Sequence, residues 1–181
     1  ADLTVYVDPA GSDTANHGLS AAYPFKTLNR AEKSLPKITF DFQQVVSMSA
    51  GVFDQSYTPA GDMARPAILF PGQRLRRRRS AQNGSVLDAA IVYRGQGDTT
   101  IVRSNPVAGY PYGVYLTGAE AAFEKFKIEP AASGSTAALL TSHRTDYAHL
   151  SSVTIDGSAG AGVALGTIVE AGGSIEAINC T

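Results

Sequence analysis

The sequence predicts an all-β chain, a parallel β-helix (solenoid) with a short N-terminal capping helix. Three observations predict it. A pair of short strand patterns recurs about every 25 residues in the second half of the 181-residue chain. Within each pattern in-facing and out-facing positions alternate, and Gly, Ser and Ala turns separate the strands. Near the N-terminus Leu28, Ala31 and Leu35 fall at i, i+3 and i+7 ahead of Pro36, which reads as one amphipathic helix and its stop.

The repeat is the strongest signal. Gly113-Val114-Tyr115-Leu116, Ala137-Ala138-Leu139-Leu140 and Gly162-Val163-Ala164-Leu165 are three apolar strands of one kind. Alternating with them are Phe123 to Ile128, Leu150 to Ile155 and Ile175 to Cys180. Set in register, Phe126, Val153 and Ile178 become equivalent, and so do Ile128, Ile155 and Cys180. Such self-similarity marks units that bury their apolar faces only by stacking on one another. Val153 is therefore expected between Phe126 and Ile178.

Residues 1–181 read as a single β-helix domain, long enough for a continuous core. Residues 1–36 hold a strand from Leu3 to Val7, the turn signal Asp8-Pro9, a polar loop from Ala10 to Tyr23, and the helix from Thr27 to Leu35, with Thr27 as its cap. Residues 37–104 are the first coils. Their strands are Gln44 to Ser49, Gly51 to Phe53, Ala90 to Gly95 and Thr100 to Ser104, the last two parted by a Gly95-Gln96-Gly97-Asp98 turn. About residues 54–88 interrupt them as an irregular insertion or hairpin, with one strand at Ala67 to Phe70. Residues 105–181 are the regular coils. The pattern runs up to Asn179-Cys180-Thr181, so further chain or a partner is expected to cover the last coil.

Composition agrees with small side chains in stacked turns: 18 Gly, no Trp, and abundant Ala, Ser and Thr. The net charge of −1 hides an asymmetry. Residues 1–104 carry 12 basic and 9 acidic side chains, whereas residues 105–181 carry 3 and 7. One run, Arg74-Leu75-Arg76-Arg77-Arg78-Arg79, supplies the basic excess. The lone Cys180 excludes an intrachain disulfide and a cysteine zinc cage, and reads as a small hydrophobe in the stack. No stretch approaches the ~18 apolar residues of a membrane span, so no membrane insertion is expected. Ala1-Asp2-Leu3-Thr4 is not a basic, apolar leader, and the expectation is that only an initiator Met precedes it.

Tyr6-Val7-Asp8-Pro9, Gly11, Asp13, Asn16, Gly18-Leu19-Ser20, Pro24 to Leu28 and Ala31 resemble the opening of right-handed parallel β-helix proteins of the pectate-lyase-like superfamily. Asn83-Gly84 with Ala90 to Asp98 resembles a second segment of the same proteins. The resemblance covers residues 4–35 and 83–104, and implies a first strand, a Gly/Asp/Asn loop and a helix that plugs the open end of the solenoid. The family includes polysaccharide lyases, epimerases and the tailspike and tail-fibre proteins of bacteriophages, and the chain looks most like the last of these. That likeness implies a structural or receptor-binding subunit of a phage particle, located in the virion after synthesis in the host cytoplasm. A homotrimer about the solenoid axis is implied, with other virion proteins and a bacterial surface polysaccharide as partners. Two alternatives stand beside it: a secreted or virion-borne lyase or glycosidase acting on acidic glycan, and a purely architectural virion protein.

Lyases of this fold use calcium-bound carboxylates and a Lys or Arg base to abstract a proton α to a uronate carboxylate. Glu129 and Asp156 follow the aligned Ile128 and Ile155, so they are expected one above the other, about 4.8 Å apart. They are either an acid/base pair or turn residues closing their strands. No basic residue recurs beside them in the repeat register, which counts against the lyase chemistry. Asp8, Asp13 and Asn16 offer oxygen ligands of the kind calcium takes, or serve as Asx turn formers. No cofactor and no metal site is expected. His17, His143 and His149 lack partners at metal-ligand spacing, and His143 and His149, in or beside a coil turn, read as surface or inter-chain contacts. Arg74, Arg76, Arg77, Arg78 and Arg79 repel one another unless an anion or an adjacent subunit's carboxylates lie close. Nucleic acid is not the expected partner, because no aromatic platform accompanies the run. Tyr110 and Tyr112 sit on a turn and suit sugar stacking or a subunit contact.

Overall fold

The computed structural model describes residues 2–36, 38–39, 43–54, 68–71, 75–76, 91–104, 112–117, 120–130, 136–143, 147–158, 163–170 and 174–181. In chain order the elements are β1 (Leu3–Val7), α1 (Leu28–Ser34), β2 (Ile38–Thr39), β3 (Gln44–Met48), β4 (Gly51–Asp54), β5 (Ile68–Pro71), β6 (Leu75–Arg76) and β7 (Ile91–Arg94). There follow β8 (Thr100–Ser104), β9 (Tyr112–Thr117), β10 (Glu120–Pro130), β11 (Thr136–His143), β12 (Tyr147–Ile155), β13 (Val163–Glu170) and β14 (Ser174–Ile178). Val, Ile, Thr and aromatic residues recur through these strands, as a pleated and half-buried surface favours.

Every strand pairing among the described residues is parallel. The first sheet runs β1-β3-β7-β10-β12-β14, with β4 and β8 alongside. The second runs β13-β11-β9-β5, and β2 pairs with β6. Parallel neighbours need a long crossover between them, so each strand lies beside one far away in the chain. The 11-residue β10 shows how the first sheet turns a corner. Its first half pairs with β7 (Ala121 opposite Ile91) and its second half with β8 (Lys127 opposite Ile101). The bend falls at Lys125, which takes φ 56°. The Lys125 carbonyl accepts the Gly97 N–H at 2.8 Å, in the turn between β7 and β8.

From β10 onward the structure repeats at one fixed spacing. Glu120 lies opposite Tyr147, Tyr147 opposite Ser174, and in the second sheet Ala138 lies opposite Leu165. The corner repeats as well: Lys125, Ser152 and Asn179 have φ 56°, 53° and 52°. Left-handed backbone is uncommon outside Gly, so three such residues at equal spacing mark one corner used three times.

This spacing confirms one column and corrects another. Phe126 lies opposite Val153, and Ile128 opposite Ile155, as the apolar pattern predicts. Ile178 does not join them; it lies opposite Ser151 and is 43% exposed. The Thr181 N–H donates to the Val153 carbonyl at 3.3 Å, and the Ile155 N–H donates to the Thr181 carbonyl at 2.7 Å. Cys180 therefore takes the place beside Val153. The cause is the corner. Asn179 must occupy the conformation that Ser152 and Lys125 occupy earlier, and this moves the strand off the best apolar match.

The inward side chains form one core. Val5, Val46, Tyr93, Phe123, Phe126 and Val153 are all at most 1% exposed and belong to a single cluster. Tyr93 stacks on Phe123 at 5.9 Å, and Phe123 meets Phe126 edge-on at 6.0 Å, separations that aromatic pairs favour. Outward on the same strands, Val45, Val92 and Ala122 form a second, smaller buried cluster.

The N-terminal helix forms where the sequence places it and packs against the core. Thr27 caps α1, its Oγ1 accepting the Arg30 N–H at 3.1 Å, and Leu28 and Ala31 turn into the core with Phe25 and Leu35. The helix packs on β1 of the first sheet and β5 of the second. The loop before it seals the outer edge of β1. Tyr6 N–H donates to Gly18 O (2.8 Å), Phe25 N–H to Tyr6 O (3.0 Å) and Asp8 N–H to Phe25 O (2.9 Å). Gly18 is required there: at φ 70° an added Cβ would lie 2.4 Å from the Phe25 ring.

The stretch read as an irregular insertion contributes a strand to the second sheet. Ile68–Pro71 is its edge, with Ile68 opposite Val114. Among the described residues, no helix is long and apolar enough to cross a membrane.

Candidate functional site

On the outer face of the first sheet, the strand registers place Asp54, Arg103 and Glu129 side by side on β4, β8 and β10. Asp156 extends the row, its N–H donating to the Ile128 carbonyl at 2.9 Å. Period-two alternation puts Lys127 on the same face as Glu129. The Arg103 guanidinium donates to Glu129 Oε1 at 2.6 Å, and Lys127 Nζ lies 3.2 Å from Glu129 Oε2 and 2.8 Å from Asp156 Oδ2. Glu129 is the most enclosed member, its side chain 8% exposed.

The two carboxylates are thus adjacent, as the repeat predicts, but they are not alone. The expectation that no basic residue stands beside them is overturned by Arg103 and Lys127. Lys127 was hidden in plain alternation, two positions before Glu129. Arg103 was hidden by a change of spacing. Lys127 lies opposite Ile101 on β8, a step slightly shorter than the later one that sets Glu120 opposite Tyr147.

The electrostatics fix all three groups in their charged forms. Burial pushes the Glu129 carboxyl up, but hydrogen bonds from Arg103 and Lys127 outweigh it and hold it below its ordinary range. Hydrogen bonds from Lys127 and then Ser158 hold Asp156 far below the usual carboxylate range. Hydrogen bonds to Asp156 and Glu129 hold the Lys127 ammonium above the usual lysine range. The paired charges join the neighbouring strands β8 and β10 and reach Asp156 at the end of β12.

Among the described residues, further pairs cross between strands of the first sheet. Arg94 Nε donates to Glu124 Oε2 at 2.6 Å, and His149 Nδ1 lies 2.9 Å from Glu176 Oε2. His149 thus faces a carboxylate of the neighbouring strand. His17 Nδ1 accepts the Leu19 N–H at 3.0 Å, within the N-terminal loop. His143 ends β11, opposite Thr117 and Glu170.

The oxygen-bearing residues of that loop act as turn formers. Asp13 Oδ1 accepts the N–H groups of Lys26 (2.8 Å) and Thr27 (3.0 Å), and its Oδ2 accepts the Thr27 hydroxyl at 2.6 Å. Asp8 Oδ1 accepts the Ala10 N–H, and Asn16 Nδ2 donates to the Pro24 carbonyl. No group of three or more His, Cys, Asp or Glu able to hold a metal occurs among the described residues.

The aromatic and basic candidates are only partly placed. Tyr112 opens β9, opposite Ala138, and Arg76 lies in β6, opposite Thr39. Tyr110, Arg74, Arg77, Arg78 and Arg79 lie outside the described residues. Comparison with family models, curated proteins and solved structures finds no match to this chain.

Proposed function

We propose that the chain winds as a right-handed parallel β-helix and serves as a structural, receptor-binding subunit of a bacteriophage particle, of tailspike or tail-fibre type. In this reading it is a homotrimer about the stack axis, carried in the virion beside other virion proteins, and contacts a bacterial surface polysaccharide. One observation carries the reading. The step from Glu120 to Tyr147 in the first sheet equals the step from Ala138 to Leu165 in the second, which supports levels that advance together in the two sheets over this part of the chain. A stack of that kind is stiff along its length and presents rows of outward side chains, which suits a strut or adhesin. The paired charges on its outer face support the same role, since they tie one level to the next. The opening loop and helix, which seal the first strand, add the support of the resemblance at residues 4–35.

Glu129 and Asp156 are the residues to test for a lyase or glycosidase, and Arg103 and Lys127 beside them keep that second reading open to the activity assay. The deciding experiment is native mass spectrometry with an activity control. A trimer that releases neither unsaturated uronate absorbance nor reducing ends from host polysaccharide supports the adhesin reading. A strict monomer removes the tail-fibre assignment, and cleavage lost on Glu129→Ala restores the enzyme.

A further inference from the structure

β12 is followed by Asp156-Gly157-Ser158, and Asp156-Gly157 is the one Asp-Gly pair of the sequence. Such a pair is open to an intrachain reaction, because glycine carries no side chain to crowd the approach to its nitrogen. The Gly157 nitrogen attacks the Asp156 Cγ, a C–N bond forms, and the carboxyl oxygen leaves as water. A five-membered succinimide ring results. Water then opens the ring at one of its two carbonyls. Opening at Cγ restores aspartate. Opening at the former main-chain carbonyl leaves the chain running through Cγ, which is isoaspartate. The sequence of steps consumes no oxidant and no second protein.

The ring closes only if the carboxyl carries a proton, since water leaves far more readily than oxide, and only if the side chain is free to turn toward the glycine nitrogen. The structure opposes both. Lys127 Nζ lies 2.8 Å from Asp156 Oδ2. Asp156 Oδ1 accepts the Ser158 N–H at 2.9 Å and the Ser158 hydroxyl at 2.5 Å. Both oxygens are thus engaged, one of them by a cation. The same hydrogen bonds hold the carboxyl far below its usual range, so its protonated form is scarce. The Ile128 carbonyl accepts the Asp156 N–H at 2.9 Å and pins the main chain at this residue.

We propose that Asp156-Gly157 is a site of isoaspartate formation that the fold holds in check, and that Lys127 and Ser158 are the residues that hold it. The product is not neutral to the structure. Isoaspartate adds a methylene to the main chain directly after the amide that donates to Ile128. The Cγ that Lys127 grips as a carboxylate becomes part of the main chain, so the tie between β10 and the end of β12 is lost.

The test incubates folded wild type, Lys127→Met, Lys127→Arg, Ser158→Ala and Arg103→Met in mildly acidic buffer, beside each protein unfolded in urea. Peptides spanning residue 156 are then read by electron-transfer mass spectrometry, which gives isoaspartate a fragment that aspartate lacks. Circular dichroism checks folding, and Ser158→Ala carries the test if Lys127→Met does not fold. Folded wild type is expected to isomerise at least about tenfold more slowly than its unfolded chain, because hydrogen bonds to a charged group must be given up first. Folded Lys127→Met and Ser158→Ala are expected to isomerise severalfold faster than folded wild type, and Lys127→Arg to stay close to it. Arg103→Met weakens the same cluster without touching Asp156, and is expected to stay as slow as wild type. The proposal is overturned if the folded wild type isomerises as fast as its unfolded chain, or if the unfolded chain forms no isoaspartate at residue 156. A folded Lys127→Met or Ser158→Ala as slow as wild type overturns it too. So does an Arg103→Met as fast as Lys127→Met, which would assign the protection to general stability.

Discussion

Lys127 Nζ stands 2.8 Å from the Asp156 carboxylate of the neighbouring level and 3.2 Å from Glu129 on its own strand. One ammonium thus holds together two carboxylates that the repeat stacks, and Arg103 closes the group from the other side. Like charges one strand apart repel. The cations turn that repulsion into a cross-strand tie.

Removing Arg103 leaves Glu129, largely enclosed, with Lys127 as its remaining cationic partner. Arg103→Met is expected to destabilise the chain by about 1–3 kcal/mol, the cost of an under-satisfied enclosed charge. Arg103→Met with Glu129→Met is expected to cost less than the two singles added together. Urea unfolding of the four proteins measures this; strictly additive losses would show that the two side chains do not interact.

The pH dependence follows from the same group. Glu129 and Asp156 hold their protons more weakly in the fold than in the unfolded chain. Their stabilisation is complete above the unfolded carboxylate range near pH ~4 and is lost as pH falls through and below it. Lys127 is raised, so its share is complete below the ordinary lysine range near pH ~10.4 and lost above that. Stability is expected to be flat between these limits and to fall on acidification. In Glu129→Gln with Asp156→Asn the acid limb is expected to be shallower, as read from urea midpoints at a series of pH values. An unchanged acid limb would place the responsible carboxylates elsewhere.

The corner residue Ser152 bears left-handed strain at φ 53°. Ser152→Gly is expected to stabilise by up to about 1 kcal/mol, and Ser152→Val to destabilise by about 1–2 kcal/mol. Thermal melts decide it. A valine tolerated without loss would mean the corner is not formed there.

Asp13 anchors the start of α1 through three hydrogen bonds. Asp13→Ala is expected to cost about 1–2 kcal/mol, as losing a helix cap does. Calcium added to the wild type is expected to leave the melting temperature where it is. A calcium-dependent rise that Asp13→Ala abolishes would restore the metal reading of this loop.

The stacking was legible because inward residues in parallel strands recur at a fixed spacing, and Phe126 with Val153 shows it cleanly. The last column was misread because Ile178 and Cys180 are both apolar, and apolar matching does not register backbone conformation. Asn179 suits a left-handed corner, but Lys125 and Ser152 do not announce one, so the equal spacing of the three passes unnoticed in sequence. The helix was readable in full, from Thr27 to Leu35, since cap, period and Pro36 agree. Ile68–Pro71 could be seen as a strand but not assigned, because its partner Val114 lies far along the chain. The carboxylates at Glu129 and Asp156 were found, and their cations were not. Arg103 enters only once β8 is known to pair with the second half of β10.

The most direct measurement is scalar coupling through hydrogen bonds, observed by NMR on deuterated protein. Cross-peaks are expected from the Asp156 amide to the Ile128 carbonyl, from Ile155 to Thr181, and from Thr181 to Val153. Coupling that instead links Val153 or Ile155 to Ile178, or that shows antiparallel partners, would contradict parallel strands that advance by one constant step from β10 to β12 to β14.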